Sequence, residues 1–219
     1  MSASDELKPW FDLQSATLNR VHPSWFRNIE PKLILTARRS PLGRRWLANH
    51  LAKLSPALFS LTAWRSDAVA RFGAVAWLAH PLEEPMECAL ELGGVALAAA
   101  LRTVVTRDGV MRLRLALGAS RYDRILQSNV VATDSQERPV WTSGAAEGIT
   151  DHVARRGAME LAGYADNAHP AWGESVRLSF ERWWWMSASD GTLPAKTVET
   201  SLRPPQIPLY EVVLTGTDS

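Results

Sequence analysis

The side chains able to do chemistry in this sequence are few and scattered. Its five histidines are His22, His50, His80, His152 and His169, each capable in principle of acid–base work or metal ligation. Ligands on one helix must recur three or four residues apart to share a face, and no two of these histidines do. His22, His80 and His169 each precede a proline, a setting in which a histidine ends or begins a helix. Asp151-His152 sets a carboxylate beside an imidazole, as a base and its orienting group require, yet adjacent residues of a helix point apart. Glu83-Glu84 is a carboxylate pair in sequence only, and general acid–base catalysis needs two groups converging on one bond; in a loop the pair reads as a solvated acidic turn. Cys88 is the single cysteine. It can form no internal disulfide and no cysteine-based zinc site, and it reads as a small buried hydrophobe in a reducing compartment.

No hydrolase elbow, P-loop, zinc-protease pair or dinucleotide fingerprint occurs. Gly93-Gly94 lies inside a helical run, with no strand-to-helix turn to cradle a phosphate. The reading is therefore of a protein that is not an enzyme and uses no cofactor and no metal.

The residues that stand out are suited to binding. Ala37 to Trp46 is the densest basic patch, with Arg38, Arg39, Arg44, Arg45 and Trp46. It reads either as a solvated start of a helix or as an anchor for an acidic partner, arginine beside tryptophan being enriched at interface hot spots. The chain has ten tryptophans, and Trp183, Trp184 and Trp185 are consecutive. Helical neighbours are about 100° apart, so the three span about 200° of arc and cannot all enter one core. At least one ring must meet the C-terminal tail, a partner or water.

These residues need a scaffold, and composition provides for one. The chain has 219 residues, 46% of them hydrophobic, and a formal net charge of +1. That is enough apolar material for a self-contained core and too little positive charge for non-specific nucleic-acid binding. The first residues are polar and acidic, without the pattern of a secretory signal. The longest apolar run, Val95 to Leu101, is far short of the ~20 residues that span a bilayer. A soluble, cytoplasmic protein is expected, reaching a membrane only through a partner.

Hydrophobic spacing predicts a mainly α fold: one compact helical domain over 10–186, a disordered start over 1–9, and an extended Pro-containing tail over 187–219. A small β element near Phe11 or Leu209 stays open. His22 to Trp25 reads as a turn leading into a helix capped by Ser24, which Pro31 interrupts. Ser40 and Pro41 cap and begin a helix over Leu42, Trp46, Leu47, His50, Leu51 and Leu54, ended by Pro56. Ala68 to Ala79 shows a further helical face. Leu90 to Val105 is apolar all round, as the centre of a bundle is, and its paired glycines would let another helix approach closely. Asp108 to Gly118 alternates like a strand at Met111 to Leu115 but is bounded by helix caps; a short helix is preferred, with Tyr122 to Leu126 adding another turn or two. Ser128 to Ser143 reads as a loop. Ala146, Ile149, Val153, Gly157, Leu161 and Tyr164 mark one helix face, and Trp172, Val176, Phe180 and Trp184 a last one begun by Pro170.

Four of these segments, taken in order, carry a resemblance. They are His22-Pro23-Ser24-Trp25 after Asn19-Arg20-Val21; Leu90 to Leu97 followed by Leu101 to Val105; Met111 to Leu117 with Gly118; and Gly157 to Ala162, then Pro170, then Val176 to Phe180. The chain thereby resembles the SctK family of type III secretion systems, also called YscK- or PscK-like and related to OrgA and MxiK. The match spreads over roughly residues 10 to 185. The triple tryptophan and the tail depart from the family pattern, and Asn129 to Thr142 matches it poorly. The resemblance implies a cytosolic adaptor of the injectisome sorting platform, at the cytoplasmic face of the inner membrane. Such an adaptor joins the inner-membrane ring protein SctD to the pod protein SctQ, and through it SctL and the ATPase SctN. It implies no catalysis, no cofactor, no nucleic acid and no membrane insertion. Two binding surfaces are expected, one at the arginine patch and one at Trp183 to Trp185. Two other readings stand beside this one: a helical DNA-binding regulator using Arg38 to Trp46, and a hydrolase without a sequence signature.

Overall fold

The computed structural model describes residues 3–59, 85–128 and 146–185. Over these the protein is mainly helical, and no strand occurs among them. The order is α1 (Ala3–Arg20), a 3₁₀ turn (Pro23–Trp25), α2 (Pro31–Arg38), α3 (Pro41–Leu51), α4 (Pro56–Phe59), α5 (Pro85–Ala96), α6 (Ala98–Arg102), α7 (Arg107–Leu117), α8 (Ala119–Gln127), α9 (Ala146–Ala168), α10 (Pro170–Leu178) and a 3₁₀ turn (Arg182–Trp185).

Prolines and small polar caps set most of these boundaries. Ser40 accepts from the Gly43 N–H ahead of Pro41, Thr106 from the Gly109 N–H, and His169 from the Ala171 N–H ahead of Pro170. Each oxygen or ring nitrogen satisfies a donor that the first helical turn leaves without an internal partner. Gly118 separates α7 from α8 at φ 82°, a backbone conformation that favours a residue without Cβ.

The centre of the molecule is α9, which packs most extensively against α5 and α10 and also meets α7. The α5–α9 crossing is made by glycines. A Cβ on Gly157 would run into the Ala89 carbonyl and lie 2.5 Å from the Gly93 nitrogen; one on Gly93 would lie 2.9 Å from the Gly157 nitrogen. The two backbones therefore touch, and Ala89, Leu92, Val153, Ala154, Ala158 and Leu161 are buried around the contact. This is the close approach that the paired glycines predict. The bundle centre also holds a charge pair, Arg156 with Glu160 at 2.9 Å, both buried.

The structure departs from expectation at several points. α1 begins at Ala3, where the sequence predicts disorder up to residue 9: a polar start still has good helix formers, and Trp10, Leu13 and Leu18 anchor the helix in the core. Phe11 lies in that helix, 53% exposed, and contributes no β element. Pro31 and Pro56 begin α2 and α4 rather than ending what precedes them, because a proline lacking an N–H suits a first turn as well as it stops an existing one. The apolar run from Leu90 breaks at Leu97 into α5 and α6. The expected last helix stops at Leu178, and Trp184 sits in the following 3₁₀ turn. The segment from Met111 to Leu117 is helical, as preferred, with Thr106 rather than Asp108 as its cap. The helix over Ala68 to Ala79, Glu83-Glu84, the loop beyond Ser128, Leu209 and the tail lie outside the described residues.

Candidate partner-binding surface

The segment from Val21 to Phe26 organises this surface. The His22 N–H donates to the Leu178 carbonyl at 2.7 Å, tying the turn to the end of α10. The His22 ring caps the turn: Nδ1 accepts from the Ser24 N–H at 3.3 Å and lies 2.9 Å from its hydroxyl. Ser24 in turn accepts from the Arg182 N–H at 2.9 Å, and the Trp25 indole donates to the Phe180 carbonyl at 2.9 Å. The Arg182 guanidinium lies over the Trp25 ring, 5.7 Å from its centre. His22 and Ser24 thus serve as caps and ties, His22 in place of the Ser24 expected. Burial holds the His22 imidazolium below its ordinary pKa, an effect Glu181 opposes and Arg38 reinforces.

The same segment holds the arginine patch, which lies on the hairpin of α2 and α3. Arg38 reaches back to donate to the Val21 carbonyl, and the Arg44 Nε donates to the Arg38 carbonyl at 2.8 Å. Phe26, buried, stacks on Trp46 with ring centres 6.1 Å apart and lies 5.0 Å from the His50 ring. Of the predicted patch, Arg38 is therefore half-buried and structural, with burial lowering the pKa of its guanidinium. Arg39, Arg44 and Arg45 are exposed, and Trp46 is 43% exposed. Leu33, Leu35 and Leu42 add exposed apolar area on α2 and α3.

The three tryptophans divide. A 3₁₀ turn steps about 120° per residue, which sends them in three directions. Trp184 is 1% exposed and stacks on Phe180 at 5.5 Å. Trp185 is half-buried, its indole donating to the Arg177 carbonyl at 3.1 Å. Trp183 is 48% exposed, its indole bonded to Glu181 and its ring 5.4 Å from the Arg155 guanidinium. Of the three, Trp183 alone is exposed.

The two patches, read from the sequence as separate surfaces, are both pinned to Val21–Phe26: the hairpin through Arg38 and Trp46, the tryptophan turn through Trp25 and Ser24. Sequence reasoning singled out both ends and read the piece joining them as a helix start. The available signal was Trp25 next to Phe26, two large aromatics in a short segment between prolines, which a fold must anchor on something.

Cys88 and Glu174, elsewhere in the bundle, are held by burial. Burial, with Glu91 adding to it and Arg20 opposing, raises the Cys88 pKa and keeps the thiol protonated. Glu174 accepts from the Leu58 N–H at 2.9 Å at the start of α4, and burial raises its pKa. Among the described residues no group of three or more His, Cys, Asp or Glu could hold a metal ion, and no helix is long and apolar enough to cross a membrane. Compared with family models, curated proteins and solved structures, the chain matches none.

Proposed function

We propose that this chain is a non-catalytic helical adaptor of a type III secretion sorting platform, of the SctK kind, which links SctD to SctQ at the cytoplasmic face of the inner membrane. The ordered motifs of the resemblance support the family. The observation that carries the mode of action is that two groups of exposed residues, Trp183 on one side and Arg39, Arg45 and Trp46 on the other, are held by one segment, Val21–Phe26, through Arg182 over Trp25, Phe26 stacked on Trp46 and Arg38 bonded to Val21. These contacts fix both groups to the bundle, and the exposed residues are tryptophan and arginine, the side chains that most often dominate binding energy. A preorganised surface loses little conformational entropy on association. An acidic partner suits its arginines.

The test spares Arg38, which the fold uses. R39E and R45E are combined with W183A, and binding to the SctD cytoplasmic domain and to SctQ of the same organism is measured by pulldown. Loss of one partner with an unchanged unfolding midpoint is expected; undiminished binding of both would remove this surface from the account. A gel shift that weakens steeply with salt would favour the DNA-binding alternative instead.

A further inference from the structure

Helix α7 is apolar on both sides. Leu113 and Leu117 enter the core, while Met111 and Leu115, two residues before each, are 61% and 79% exposed. At about 100° per residue, Met111 and Leu115 fall at the middle of the outward face, one turn apart. Arg107 and Arg114 border them on one side, Asp108 and Arg112 on the other. Arg114 is also held toward α8, bonding Asp123 at 2.7 Å and lying 6.0 Å from the Tyr122 ring centre. A helix whose only task is to cover a bundle carries its polar residues at the centre of the outward face. Here large apolar side chains hold that position, and three arginines with Asp108 form the rim.

We propose that the outward face of α7 is a docking site for a protein helix with an apolar stripe flanked by Asp and Glu. Apolar anchors one turn apart match a stripe repeating at three- and four-residue steps. With Arg114 paired to Asp123, Arg107 and Arg112 against Asp108 leave this face net positive, which selects an acidic flank. A second copy of this chain is disfavoured by the same charges, since α7 against α7 would oppose arginine to arginine. The surface around Trp46 and Trp183 shares no residue with this site, and the proposal does not depend on the identity of that surface's partners. It supplies an adaptor with the second surface that merging of the two expected patches removes.

The experiment titrates full-length protein against a synthetic helix with leucines at three- and four-residue steps and glutamate flanks. The same helix with lysine flanks, and phosphatidylserine vesicles, are compared. The acidic helix should bind at least ~10-fold more tightly than the lysine helix, and M111S/L115S should weaken it by a similar factor. R107E/R112E, which alters exposed positions only, should weaken the acidic helix and strengthen the lysine helix, so the result stands even where the serine variant loses stability. No binding of the acidic helix, binding indifferent to these variants, preferential vesicle binding, or self-association through α7 in sedimentation would overturn the proposal.

Discussion

Trp184 is sealed against Phe180 while its neighbour Trp183 is half exposed, so two identical side chains sit in different environments. W184A removes a fully buried ring and should cost about 3–5 kcal/mol in urea unfolding. W183A should stay within about 0.5 kcal/mol of the parent and act on binding. Arg38 and Arg39 divide in the same way. R38A leaves the buried Val21 carbonyl without its donor and should cost about 1–3 kcal/mol, whereas R39A should leave the unfolding midpoint nearly unchanged. His22 gives the fold a pH response of definite sign. Its folded pKa lies below the ordinary 6.5, so the unfolded chain takes up the proton first on acidification. Stability from this group is intact above pH 6.5 and is lost as pH falls through the folded pKa. H22Q should flatten that part of the melting-temperature profile between pH 7 and 5; a profile identical to the parent's would show that His22 does not set it.

At the scale of elements, the α5–α9 contact is the most demanding. A methyl group on Gly157 meets backbone of α5 rather than a movable side chain, and two packed helices must separate to admit it. G157A should therefore cost about 3 kcal/mol or more, at or above the upper end of ordinary overpacking, although alanine is the better helix former. Half of this contact was legible in advance: the paired glycines predict a close helix approach, but Leu90 to Val105 is apolar all round and has no face that points to Gly157 as the partner. Caps and prolines likewise revealed α3, α7 and α10. The direction of a proline was harder to read: Pro31 and Pro56 each follow one candidate helix and open another, and only tertiary packing chooses. The buried Arg156–Glu160 pair escaped notice because an i,i+4 pair reads as surface support, and here the apolar faces on either side of it are both covered.

At the scale of the molecule, the helical class followed from apolar spacing over segments long enough to show a period. The juxtaposition of Trp25 with Arg182, or Phe26 with Trp46, did not, because these ring contacts join separate segments and are fixed by bonds to the Phe180 and Val21 carbonyls, which have no sequence pattern. The outward apolar pair on α7 was hidden for a different reason: Met111, Leu113 and Leu115 alternate, so in the short helix preferred there the apolar residues fall on both faces and no single stripe marks the buried one. The described residues form a helical bundle with tryptophan, arginine, methionine and leucine exposed on its outside, and the work we propose for it is to hold two proteins together. That is tested most directly by mixing the purified chain with the SctD cytoplasmic domain and SctQ and measuring the mass of what forms by analytical ultracentrifugation. The account predicts a particle containing all three, absent when this chain is omitted. Association of the other two without it, or no association with either, would contradict it.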